Sequence, residues 1–265
     1  MREVKNRYKT RIVVNPQYPG VGKLAELLAL DGEPAGARVI YDGRNRLYVV
    51  DGGEGVGEVV VKDFHRPSFV NSLVYTNLRK SKARRSYENA MELRRLGFGT
   101  PEPYAYVEVS SGGRLLRSYY LCALLSADHR DMRYFDKQPH LPELLDALGH
   151  EMVRLHRAGV LVKDFSPGNV LYVRDAEGVY HFSHVDLNRM EFGVKSHSRL
   201  MGNFRAMPCT PDEVDMLAAA YAHASGDDVA AVTAEAHAQF DAFWRQVNRK
   251  RRLKKALKRL TSGRE

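Results

Sequence analysis

The stretch LVKDFSPGNVLY (residues 161–172) carries a hydrophobic run into an acid, Asp164, then through a Pro-Gly turn to an amide, Asn169, and on into a second hydrophobic run. Placing an acid and an amide inside an otherwise apolar segment is costly unless their polar atoms find partners. One reading is a turn closed by its own Asp and Asn side chains. The other is a strand end that delivers a carboxylate and an amide to a reaction. The segments on either side choose between them.

Downstream, VLYVRDAEGVYHFSHVD reads as a β-hairpin that ends on Asp186. Upstream, the strand-like EVVVKDF (residues 58–64) holds Lys62 between apolar neighbours, and a helix ending in SYENAMELRRLG carries Glu88 and Glu92 one turn apart. Each feature has an ordinary explanation alone. Lys62 could reach the surface at a sheet edge, Asp186 could cap a turn, and the two glutamates could be solvated. Their ordered occurrence on strand, helix, loop and hairpin end is what favours chemistry.

The rest of the chain supplies a frame. RIVVN (11–15) reads as a strand and residues 21–30 as a helix. Residues 38–41 and 46–50 form a hairpin around DGRN, and GGEGVG leads into the Lys62 strand. After the helix, which Gly97 closes, TPEP breaks the pattern, and residues 104–109 and 115–125 form a hairpin around SSGG. Residues 141–157 are a helix with Leu144, Leu145, Leu148, Met152 and Leu155 on one side. Helical patterns at 211–224 and 229–260 finish the chain. The expectation is a β-rich lobe, residues 1–125, followed by a helical lobe, residues 126–265, with the junction at 124–130.

Physically, these residue types suit phosphoryl transfer, in which a protein contributes positioning and charge neutralisation more than covalent chemistry. A strand lysine can hold phosphates, a carboxylate can orient a hydroxyl and take its proton, and an amide and a second carboxylate can hold Mg²⁺ through oxygen.

At these residues the chain resembles the protein-kinase-like superfamily: VKDFSPGN has the Asp followed five positions later by Asn, and VDLN stands where Asp-Phe-Gly does. It is more closely similar to the lipopolysaccharide kinases, the bacterial Kdo and heptose kinases, through YDGRNRLYVV, VVVKDF, the helix followed by GTPEP, KDFSPGNVLY and VDLNRM. These lie in consistent order within residues 38–190.

The resemblance implies a two-lobed, α+β protein-kinase-like fold and ATP- and Mg²⁺-dependent phosphorylation of a sugar hydroxyl, Kdo or heptose of lipopolysaccharide core. It implies that Lys62 contacts ATP phosphates and Glu88, or else Glu92, pairs with Lys62. Gly43, Arg44 and Asn45 of the DGRN turn would cover the phosphates, with Gly43 allowing close backbone approach. Asp164 would be the catalytic base, and Asn169 and Asp186 would bind Mg²⁺.

There are departures from the protein kinases. Val162 and Lys163 replace the His and Arg before the catalytic Asp, Leu187 and Asn188 replace Phe and Gly, no Ala-Pro-Glu follows, and the glycine loop keeps one glycine. A peptide-docking segment thus finds no support. A small-molecule kinase, an atypical protein kinase, and a pseudokinase that binds nucleotide without transfer remain the alternatives.

Charge locates a further feature. Residues 245–265 hold ten of the 41 Lys and Arg and one of the 32 Asp and Glu, so the remaining 31 of each sign cancel and the whole formal +9 sits in this segment. A nucleic-acid binder is therefore disfavoured. Phe243, Trp244, Val247, Leu253, Leu257 and Leu260 recur between the bases at near-helical spacing. The segment either packs an apolar side or meets an anionic inner-membrane surface. The basic run RKSKARR (79–85) is either a solvated linker or a docking point for an anion, since bases at a helix start oppose the macrodipole.

Cys122 and Cys209 read as reduced residues of a cytoplasmic protein. His65, His156, His181 and His184 show no zinc spacing and read as structural or surface residues. The charged opening MREVKNRYKT does not read as a secretory signal, and no eighteen-residue apolar run occurs.

Overall fold

The computed structural model describes residues 8–53, 55–64, 80–133, 137–138, 140–207 and 210–262, with side chains to residue 255. His65, Cys209, Arg79 and the side chains of Leu257 and Leu260 lie outside the described residues. The chain packs as two units, Met1–His129 with Ser183–Arg189, and Arg130–Phe182 with Met190–Glu265.

The first unit is built on a six-stranded antiparallel sheet. Its strands are β1 (Lys9–Val14), β2 (Arg38–Asp42), β3 (Arg46–Asp51), β4 (Glu58–Phe64), β5 (Pro103–Ser111) and β6 (Arg114–Ala123), in the order β1-β5-β6-β4-β3-β2. The two-residue period of a strand sends alternate side chains to opposite faces. On one face Val59, Val61, Val107 and Leu121 meet Val21, Ala25 and Leu28 at α1 (Gly22–Leu30), all fully buried. Burying a side chain such as Leu28 contributes roughly 1.5–3 kcal/mol.

The opposite face of β4 therefore carries Val60, Lys62 and Phe64. Against this side of the sheet packs α2 (Lys82–Arg95), whose buried residues are Ala83, Ser86, Tyr87, Ala90 and Leu93; the Tyr87 and Tyr106 ring centroids are 5.5 Å apart. Ser81 caps α2 by accepting the Arg84 amide at 3.0 Å, and Gly97, at φ 80°, ends it in the left-handed conformation that glycine adopts without Cβ strain. Tyr120, opposite Lys62 in the β4–β6 ladder, is buried.

The second unit is mainly helical. The chain enters through β7 (Arg130–Asp131) and α3 (Leu141–Arg157), with Leu144, Leu145, Leu148, Met152 and Leu155 buried at helical spacing. Then come β8 (Leu161–Val162), β9 (Val170–Arg174), β10 (Tyr180–His184), β11 (Met190–Glu191), α4 (His197–Leu200), α5 (Pro211–Ser225) and α6 (Val229–Ser262).

Gly149 lets α3 approach α5 closely: a Cβ there would lie 2.6 Å from that of Ala220. Thr210 and Glu213 form a reciprocal capping box at the start of α5. Among the described side chains of α6, Val232, Ala236 and Phe240 are buried and Phe243 and Trp244 half-buried. From residue 245 to 255 its side chains are exposed, Val247 alone being half-buried.

Candidate active site

The candidate residues divide between the units. In the first, Lys62 reaches Asp186, Nζ to Oδ1 2.5 Å, with the two side chains 13% and 22% exposed. Asp186 lies in the segment after β10, at φ 56°. A left-handed backbone costs a residue with a Cβ about 1–2 kcal/mol, least for Asn and Asp, so something must hold this turn.

Four hydrogen bonds do so. The His184 amide donates to Gly99 O at 2.9 Å, and Thr100 Oγ1 to His184 O at 2.8 Å. From α2, Asn89 Nδ2 donates to Leu187 O at 2.7 Å and Arg85 to Asn188 O at 2.8 Å. Asn188, where protein kinases place glycine, donates its amide to the same Asp186 oxygen at 2.7 Å. Burial raises the pKa of the Asp186 carboxyl, but the charge and hydrogen bond of Lys62, the Asn188 amide and the Arg44 charge more than offset it, leaving the group below its ordinary value.

Glu88 does not pair with Lys62. It accepts from Lys80 at 2.7 Å and Arg84 at 2.8 Å, which together outweigh burial and lower its pKa. Glu92 pairs with Arg95 at 2.7 Å. The expected lysine–glutamate pair is absent because α2 turns Asn89 and Arg85, not an acid, toward the Asp186 turn. Helix period explains the miss: spacing fixes which residues share a face, not which face meets the sheet.

Arg46, just after the DGRN turn, is held by Glu33 at 2.7 Å and by Asp42, and within the turn the Gly43 amide donates to Asn45 O at 3.2 Å. The room left by the missing Cβ of Gly43 is taken by the Tyr41 ring, whose Oη would lie 2.4 Å from it. Asn45 Oδ1 is buried with no partner among the described residues.

In the second unit, β8 pairs with β11, Val162 opposite Met190, and buried Phe165 anchors the loop that follows. Asn169 closes that loop: its Nδ2 donates to the carbonyl of Asp164 at 2.9 Å, and its own amide to Ser166 O at 2.8 Å. With Nδ2 engaged, Oδ1 is the donor atom this side chain can offer a cation. Around the loop, Met132 N donates to Pro167 O at 2.9 Å, Arg205 to Lys163 O at 2.6 Å, and Lys163 pairs with Glu191.

Each unit offers a hard side-chain oxygen, Asp186 in the first and Asn169 in the second, the donor type that Mg²⁺ prefers. Among the described residues no group of three or more His, Cys, Asp or Glu could cage a metal alone. Of the histidines singled out in the sequence, His156 and His184 are buried, and exposed His181 pairs with Asp175 at 2.7 Å.

No family model and no curated protein matches the sequence. Among solved structures, WaaP in complex with acyl carrier protein is similar, with a TM-score of 0.60 and 16% identity over 90% of this chain and 98% of that one. The Rio2 kinase–ADP/Mg²⁺–phosphoaspartate complex from Chaetomium thermophilum has a TM-score of 0.45 and 18% identity, covering 88% and 77%. The likeness to WaaP includes most of the C-terminal third, where the sequence shows no motif. With its β-rich N-terminal sheet and helical C-terminal part, the chain has the protein-kinase-like fold that its sequence resemblance implies.

Proposed function

We propose that the protein is an ATP- and Mg²⁺-dependent phosphotransferase acting on a sugar hydroxyl, Kdo or heptose of lipopolysaccharide core. The observation that carries this reading is the Lys62–Asp186 pair, which joins a strand lysine to an acid held in a left-handed turn by α2, the Gly99 carbonyl and the Thr100 hydroxyl. Structural ion pairs seldom require a strained and multiply anchored backbone; sites that position charge do.

Bound together, ATP and Mg²⁺ would supply the phosphoryl group and neutralise its charge. In this reading Lys62 would hold phosphate oxygens, and Asp186 and Asn169 would each offer Mg²⁺ a side-chain oxygen. Asp164 orients the acceptor hydroxyl and accepts its proton. Gly43, Arg44 and Asn45 cover the phosphates. The pseudokinase alternative keeps nucleotide binding without transfer. Masses of lipopolysaccharide from cells with and without the protein separate the two. Loss of one phosphate in its absence is expected; identical masses contradict the reading.

The exposed basic stretch of α6 supports a place at an anionic membrane surface. Arg251 lies 5.8 Å from the Trp244 ring centroid, so cation and aromatic share one side of the helix. No helix among the described residues is long and apolar enough to cross a membrane, so attachment would be peripheral, with each base adding about 1 kcal/mol at an anionic surface. Deleting residues 249–265 should reduce co-sedimentation with anionic vesicles. Unchanged co-sedimentation at low salt would show that the tail is not the anchor.

A further inference from the structure

In the first unit the ammonium groups of Lys62 and Lys82 share one ring: Lys62 Nζ lies 5.4 Å and Lys82 Nζ 5.8 Å from the centroid of buried Phe64. Lys82 opens α2, where the helix dipole repels a cation. It is half-buried, and its pKa is lowered by that burial, then by the charges of Arg44, Lys62 and Arg189, with Asp186 the acid acting against them. Lys62 and Lys82 thus bring two ammonium groups to one ring, and Asp186, the acid that acts in favour of the Lys82 charge, already accepts from Lys62 at 2.5 Å.

Cations are not gathered in this way at a helix start for stability: mutual repulsion, partial desolvation and the dipole all act against it. One multiply charged anion removes all three costs at once, and a helix N-terminus favours such an anion in its own right. The described bases of the run on either side of Lys82 have other partners. Lys80 and Arg84 hold Glu88, and Arg85 holds Asn188 O.

We propose that Lys82 is a second phosphate-binding lysine, which grips the same polyphosphate chain as Lys62 from the helix side, both ammonium groups lying by the Phe64 ring. This rests on the kinase reading of the site and adds to it. Where α2 brings no acid to Lys62, it brings a further cation to the phosphates, and Asp186 serves as the resting partner of Lys62. The sequence flagged the run 79–85 as a whole; only the packing of α2 on β4 singles out Lys82.

Isothermal titration of the full chain with ATP and with sodium tripolyphosphate, which carries the phosphates without the base, tests this. Lys82→Met keeps the aliphatic stem over Phe64 and should weaken both ligands about tenfold, the loss of one charge-assisted contact. Lys82→Arg should restore most of the affinity, which a merely structural role would not require. Equal ATP affinity in wild type and Lys82→Met would overturn the inference and leave the kinase reading standing. Wild type binding tripolyphosphate through Lys82, yet not ATP, would sustain the phosphate site and remove the kinase reading. In a third titration, with glucose 6-phosphate, weaker binding by Lys82→Met with ATP unaffected would assign Lys82 to an acceptor phosphate and overturn the inference. So would absence of binding to either polyphosphate by the wild type.

Discussion

Lys62 and Asp186 meet across 124 positions of sequence, whereas Asn169 closes on Asp164 across five. The first pair depends on a strand, a helix and a returning segment all reaching the same place. The second depends on one loop, its Pro-Gly turn and buried Phe165. The comparison teaches how each half can fail. A change in the loop should remove chemistry and leave the fold, while a change around Asp186 should disturb both, because the groups that position this acid also hold the turn.

Asp164→Asn gives the largest expected effect. As a general base it should be worth about 10²- to 10⁴-fold in single-turnover transfer, with the melting temperature unchanged. Full transfer by this variant would remove Asp164 from the mechanism.

The scaffold of the second unit has its own weak point, separate from the loop. His156 is buried, with Nδ1 2.9 Å from Tyr221 Oη, and burial lowers its pKa to about 4. The folded value lies below the unfolded one, so the stability from the neutral ring is complete above about pH 6.5. It is lost as pH falls toward 4, by about 3 kcal/mol in total. Chemical denaturation from pH 7 to pH 4 should show that slope in wild type and a shallower one in His156→Gln. Identical slopes would place the acid sensitivity elsewhere.

The smallest effect belongs to the anchors of the Asp186 turn. Asn89→Ala removes one hydrogen bond to Leu187 O and should weaken Mg²⁺-dependent ATP binding about fivefold, on the order of 1 kcal/mol. Unchanged binding would mean that the Gly99 and Thr100 contacts suffice.

What the sequence made legible follows the same division. The five-residue spacing of Asp164 and Asn169, the β4 lysine and the order of the elements could be read directly, because strand and helix periods are local properties. The Lys62–Asp186 pair, the left-handed backbone at Asp186, and the return of Ser183–Arg189 to the first unit could not, since they depend on contacts across about ninety residues and more. Glu88 illustrates the limit. Its place on a helix near the lysine strand was correct, yet the Lys80 and Arg84 that claim it lie within its own helix and the residues leading into it. Asn89, one position on, faces the turn instead.

The central claim is that Asp186 serves the metal and Asp164 the acceptor. Isothermal titration with ATP, with and without Mg²⁺, tests it most directly on wild type, Asp186→Ala and Asp164→Asn. The account predicts that Asp186→Ala loses the Mg²⁺-dependent part of ATP binding and that Asp164→Asn keeps it. Equal loss in both variants, or none in Asp186→Ala, would contradict it.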